Sequence, residues 1–285
     1  MVAVRNLAVV FALLTALSLR SHGRPESKST DARDTLFAQS AAEALNHDFP
    51  KPDISYLLLD ARSGQVLAAR WEHPELPIPL GSLAKPFAAL AYGEQHGFHY
   101  PNHFCKGTAT GCWRPDGHGD VDLTSAIAYS CNSYFRVLTA DMQAADVSQT
   151  ANRFGIDAPD LTVAGAELAG LGPRWRISPL GMAHAYLELA RQPQNAAVKQ
   201  ILGGMARSAR EGTGAEVDRE LLFSDAMVKT GTAACTHPRH APGDGFTIAL
   251  VPSADPKLLL MVRVHGVPGS HAARTAGQML RRIGE

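Results

Sequence analysis

The sequence predicts an α+β fold in which both ends of the chain build one antiparallel sheet and a helical lobe is inserted between its halves. Three observations predict it. A strand pair lies early in the chain, three strand-like runs lie late, and the long middle has helical apolar spacing.

In chain order, Arg5 precedes an apolar run from Leu7 to Leu19. As a helix that run would reach roughly 20 Å, short of a ~30 Å hydrocarbon core. Residues 1–23 therefore fit a cleaved secretory signal or an uncleaved membrane anchor, and either one implies export to the periplasm or another extracytoplasmic site. Ser21 to Asp34 is polar and reads as a tether, and Thr35 to Leu45 has helical spacing, so residues 24–50 form a tether and an N-terminal helix. A catalytic module is expected over 51–285.

Ile54 to Leu59 is a dense apolar strand, and Ser63-Gly64 turns it into a second strand from Gln65 to Trp71. The helical lobe runs from about residue 83 to 222, with its clearest helices at Thr124 to Met142 and Pro179 to Arg191. Ala226 to Thr232, Gly245 to Val251 and Lys257 to His265 supply three more strands, and Ser270 to Ile283 a C-terminal helix with basic residues in its last turn.

Composition excludes some functions. Lys plus Arg equals Asp plus Glu, giving zero formal net charge, whereas a nucleic-acid binder carries a basic excess. No nucleic-acid partner is expected. At 45% hydrophobic and 19% charged residues the chain is neither disordered nor fibrous.

Three short motifs carry chemistry. In Ser82-Leu83-Ala84-Lys85, a helix starting at Ser82 places Lys85 on the same face as the hydroxyl. A lysine in a dry site loses its proton near neutral pH, so Lys85 can serve as the base that a serine nucleophile needs. Pro86 is tolerated because it falls in the first turn. In Ser130-Cys131-Asn132, the serine can relay a proton to a leaving group and the amide can hold a peptide bond. In Lys229-Thr230-Gly231-Thr232, on a strand, Lys229 offers fixed positive charge and Thr230 and Thr232 offer hydroxyls for a carboxylate. Gly231 leaves room for a ligand along the strand edge. The N–H groups of Ser82 and Thr232 would form an oxyanion hole, worth about 3–4 kcal/mol per donor.

The set S-x-x-K, S-x-N and K-T-G, in that order, resembles the penicillin-binding transpeptidase and serine β-lactamase superfamily. The contexts Gly81-Ser82 with Lys85-Pro86-Phe87, the run Ser178 to Tyr186, and Asp244-Gly245-Phe246 resemble its transpeptidase branch. The resemblance covers Ile54 to the C-terminus. It implies a five-stranded antiparallel sheet flanked by helices, an acyl-enzyme on Ser82, and peptidoglycan stem peptides and β-lactam antibiotics as ligands. No metal or organic cofactor is expected.

Within the superfamily, a class A lactamase supplies a deacylating glutamate from E-x-x-L-N, but Glu167 is followed by Leu168-Ala169-Gly170. Class D enzymes carboxylate the motif lysine and usually carry S-x-V. The spacing to the second motif suits class D, but Asn132 replaces the apolar residue. A D-Ala–D-Ala transpeptidase is therefore favoured, with a class D-like β-lactamase or a β-lactam sensor as alternatives.

The remaining features are read as structural. Cys105 and Cys112 bracket a short loop and are the candidate disulfide, although four cysteines allow three pairings. Cys131 reads as a small buried side chain, with a redox pair to Cys235 as the minor alternative. Zinc is set aside because no C-x-x-C occurs, and His96, His99, His103 and His118 read as surface or hydrogen-bonding residues. Gly117-His118-Gly119 is assigned to the pocket rim, and Trp113 and Trp175 read as core aromatics, with the rim as the alternative. Gly212-Thr213-Gly214 reads as a turn without chemistry.

Overall fold

The computed structural model describes residues 32–235 and 243–284. The signal or anchor expected over 1–23 lies outside the described residues, and so does the start of the tether. Helix α1 (Ala32–Asp48) begins ahead of Thr35, where the apolar spacing starts. No helix among the described residues is long and apolar enough to cross a membrane.

Strands β1 (Ile54–Asp60) and β2 (Val66–Arg70) form the early hairpin. The two-residue β3 (Ile78–Pro79) later meets β6 (Arg176–Ile177), and β4 (His103–Cys105) pairs with β5 (Gly119–Val121). Strands β7 (Met227–Ala233), β8 (Asp244–Val251) and β9 (Leu258–His265) follow. The main sheet has five antiparallel strands in the order β2-β1-β9-β8-β7. Both ends of the chain contribute to it, which makes the middle an insertion. Strand β7 lies at one end of the order, so one of its edges is left open to a ligand.

The two faces of the sheet bury different cores because side chains alternate along a strand. Leu57, Leu59, Ile248 and Met261 pack toward the helical lobe. Tyr56, Leu58, Ala249 and Leu260 pack the opposite way, against α1 and the C-terminal helix α9 (Gly269–Arg282). Each fully buried leucine contributes about 1.5–3 kcal/mol. Helix α9 presents Ala272, Ala273, Ala276, Met279 and Leu280 to this second core, a spacing that keeps one apolar stripe on the sheet.

In the lobe, α2 (Lys85–Gln95), α5 (Ala144–Phe154), α6 (Pro179–Ala190) and α7 (Ala196–Glu211) lie on the sheet's inner side, while α8 (Ala215–Glu220) sets Val217 into the second core beside α9. The helix expected from Thr124 to Met142 is two helices, α3 (Leu123–Ala128) and α4 (Asn132–Leu138). Asp122 caps α3 by accepting the Ser125 N–H at 2.7 Å. The break falls at Ser130, whose φ of 50° no helix tolerates, and Cys131 is extended. The apolar pattern runs straight through this point, so the pattern alone does not reveal it.

Candidate active site

Ser82 lies in the tight turn Gly81–Ala84 that feeds α2, with Pro86 in the helix's first turn. Residues three apart eclipse in such a turn, so Lys85 follows on the face that carries Ser82. The buried Tyr186 hydroxyl donates to the Leu83 carbonyl at 2.9 Å and fixes the turn from below. Gly81 has φ 59°, and a Cβ there would stand 2.2 Å from the Thr232 carbonyl oxygen. From the other side, a Cβ on Gly231 would stand 2.5 Å from the Leu80 carbonyl oxygen. The nucleophile turn therefore lies directly on β7. Gly81→Ala should lose about 2–3 kcal/mol in chemical denaturation, from backbone strain and the overlap together. Wild-type stability in that variant would refute this packing.

Two amines meet at Ser130. Lys85 is fully buried and donates to the Ser130 carbonyl at 2.8 Å, to Asn132 Oδ1 at 2.7 Å and to Ser130 Oγ at 3.3 Å. Its ammonium also lies 5.2 Å from the centre of the Phe135 ring. Lys229, equally buried, donates to Ser130 Oγ at 2.9 Å and to the Thr230 carbonyl at 2.7 Å. Burial pushes the Lys85 amine down to about 7, against a smaller upward pull from Cys131 and Cys112. Burial also holds Lys229 well below the usual lysine range, helped by the charge of Lys85. The left-handed backbone of Ser130 lets its carbonyl and hydroxyl both reach these amines, and those bonds offset its strain.

Above the amines is a cleft of about 550 Å³ lined by Ser82, Ser130, Asn132, Thr230, Gly231 and Thr232. All eight residues singled out for catalysis or substrate binding are thus brought together, six on the cleft wall and the two lysines beneath it. Thr232 Oγ1 accepts the Gly269 N–H at 3.0 Å, which leaves its hydroxyl proton for a ligand. No carboxylate lines the cleft, and Arg136 is the one cation among its described lining residues. Glu167 is engaged by Arg174 instead.

Several features were missed or misplaced from sequence. Thr213, read as part of an inert turn, lines the cleft and accepts the Thr230 hydroxyl at 2.6 Å. The G-T-G pattern around it was the available signal. Trp113 is half exposed on the rim rather than in the core, whereas Trp175 is buried as expected. Arg136 carried no motif and so gave no signal.

The cysteine assignments need correction. Cys105 and Cys112 form no disulfide with each other; both are thiols, and so is Cys131. The reason is local geometry: Cys105, Cys112 and Cys131 gather round His118, so no two are set apart as a pair. Cys131 Sγ lies 3.9 Å from Cys112 Sγ, while Cys235 Sγ faces His265 Nδ1 at 3.3 Å, so the Cys131–Cys235 pair is not formed either. His96, His99 and His103 make hydrogen bonds, as expected. His118 points into the thiol cluster rather than forming the rim.

Residues 54–285 match the family described as the penicillin binding protein transpeptidase domain. Among solved structures, the chain is similar to the apo transpeptidase domain of Burkholderia pseudomallei penicillin-binding protein 3, at 15% identity and TM-score 0.62, covering 89% of this chain and 92% of that one. It is also similar to Pseudomonas aeruginosa PBP2 in complex with WCK 5153, at 18% identity and TM-score 0.66, covering 89% and 73%. The transpeptidase domain of the Legionella pneumophila FtsI4 D,D-transpeptidase matches at 17% identity and TM-score 0.61, covering 89% and 95%. Among curated proteins, none matches this sequence.

Proposed function

The chain belongs to the penicillin-binding-protein transpeptidase family, and from that premise we propose that it is an exported D,D-transpeptidase acting on peptidoglycan stem peptides through a Ser82 acyl-enzyme. The observation that carries this reading is the position of Ser130 Oγ between two buried amines, 3.3 Å from Lys85 and 2.9 Å from Lys229, at the wall of the Ser82 cleft.

In the proposed reaction, neutral Lys85 takes the Ser82 hydroxyl proton and Oγ attacks the D-Ala–D-Ala carbonyl carbon. The Ser82 and Thr232 N–H groups hold the oxyanion. As the C–N bond breaks, Ser130 gives its proton to the departing amine and is resupplied from the lysine pair. Asn132 orients the donor peptide. Thr230 and Thr232 grip its terminal carboxylate beside the strand edge, and Arg136, the one cation among the described lining residues, favours an anionic ligand. The acyl group then passes to an amine of a second stem peptide.

Two features support transfer over hydrolysis. The described lining of the cleft has no carboxylate to activate water, and Glu167 is tied to Arg174. Lys85 faces three acceptors, the Ser130 carbonyl and hydroxyl and the Asn132 carbonyl. A carboxylated lysine would turn oxygen toward oxygen there, which disfavours the class D route. A β-lactam chase tests the choice: intact mass should show a benzylpenicillin adduct that persists after free drug is removed. Rapid loss of the adduct with drug turnover would instead assign a β-lactamase.

A further inference from the structure

We propose that Cys105, Cys112, His118 and Cys131 bind one structural Zn²⁺ that pins the loop beside the cleft to the turn carrying Ser130 and Asn132. The observation is a closed tetrahedron of donor atoms. All four donor atoms lie within 4.8 Å of one another. Cys112 Sγ and Cys131 Sγ are 3.9 Å apart, and His118 Nδ1 is 3.5 Å from Cys112 Sγ and 3.6 Å from Cys105 Sγ. A tetrahedral zinc with Zn–S near 2.3 Å and Zn–N near 2.05 Å sets sulfurs ~3.8 Å apart and sulfur and nitrogen ~3.6 Å apart. These three distances match those edges, and the other three lie within 4.8 Å. The 3.9 Å between Cys112 Sγ and Cys131 Sγ is too long for a disulfide, which would also strand the third thiol and the imidazole.

The surroundings suit thiolate ligands. The three cysteines are at most 5% exposed. Backbone N–H groups lie near two of the sulfurs, those of Gly107 and His118 near Cys105 and those of Arg114 and Ser133 near Cys112. Such outer donors hold metal-bound thiolates in place. The imidazole is fixed by two rings, Tyr129 stacked on it at 5.4 Å and 11° and Trp113 meeting it edge-on at 5.5 Å and 62°. Three thiolates and one imidazole select a borderline-soft ion, and four protein ligands leave no open position, which assigns a structural role. Binding displaces the three thiol protons into solvent and involves no redox change.

The ligands come from separate pieces of chain. Cys105 ends β4, Cys112 and His118 lie in the loop leading to β5, and Cys131 caps α4 between Ser130 and Asn132. One ion therefore closes a span of chain on which Trp113 forms the rim and Ser130 and Asn132 form the wall of the cleft.

The test is metal content of the reduced full chain after loading with Zn²⁺ and desalting. The expected result is one zinc per chain, and Co²⁺ in its place should give the intense visible bands of a tetrahedral thiolate site. Cys112→Ser and Cys131→Ser should each weaken zinc by more than the ~10–100-fold typical of losing an outer-shell partner. Chelation should lower the melting temperature of the wild type. Absence of stoichiometric zinc, an octahedral cobalt spectrum, or a disulfide among these thiols in protein from an oxidising compartment would each overturn the proposal. The cobalt spectrum of the wild type keeps the test decisive if a variant fails to fold. None of these readouts uses acyl transfer, so they stand or fall apart from the proposed reaction.

Discussion

Ser82→Ala is expected to abolish the covalent benzylpenicillin adduct expected of the wild-type chain, while leaving the fold intact. The change removes one oxygen from a half-buried residue at the cleft, so stability should move by less than about 0.5 kcal/mol. The adduct, by contrast, needs that oxygen, because the lactam carbonyl carbon bonds to it. Intact mass of both proteins, with and without drug, reads the result directly. An adduct of equal yield in Ser82→Ala would move the nucleophile elsewhere in the cleft, with Ser130 the next hydroxyl to examine.

Lys85 sets the second large effect. Its amine is held near 7 by burial, so the neutral form that can accept the Ser82 proton is the minor form below that pH and the major form above it. Acylation should therefore rise with pH. From about pH 6 to pH 8 the neutral fraction grows roughly tenfold, then levels off. Lys85→Met removes the base while keeping apolar volume, and acylation should slow by about 10²–10⁴-fold. Stopped-flow with a chromogenic cephalosporin measures both. A rate flat or falling across this range, or a Lys85→Met variant within about tenfold of wild type, would remove Lys85 from the role of base.

The legibility of this molecule in its sequence was uneven for physical reasons. Strands such as Ile54–Asp60 and Asp244–Val251 are buried along most of their length, so they appear as dense apolar runs that no turn residue interrupts. The motif residues were legible too, because Ser82 and Lys85 are joined by one turn and Lys229 to Thr232 by one strand. Local spacing sufficed in both cases. The break in the middle helix was hidden because Ser130 is held at positive φ by bonds from two lysines distant in sequence, and no local preference asks for it. Thr213 and Trp113 were misread for the same reason: what they touch is set by residues far along the chain.

The sequence by itself determined the α+β architecture and marked Ser82 with Lys85, Ser130 with Asn132, and Lys229 with Thr230 and Thr232 as the candidate site, since periodicity and short motifs are local properties. Only the tertiary structure decided that Ser130 lies between two amines, that the described lining of the cleft contains no carboxylate, and that three thiols and an imidazole share one point. Each of these is a meeting of segments that the chain separates by tens of residues, and packing rather than spacing fixes such meetings.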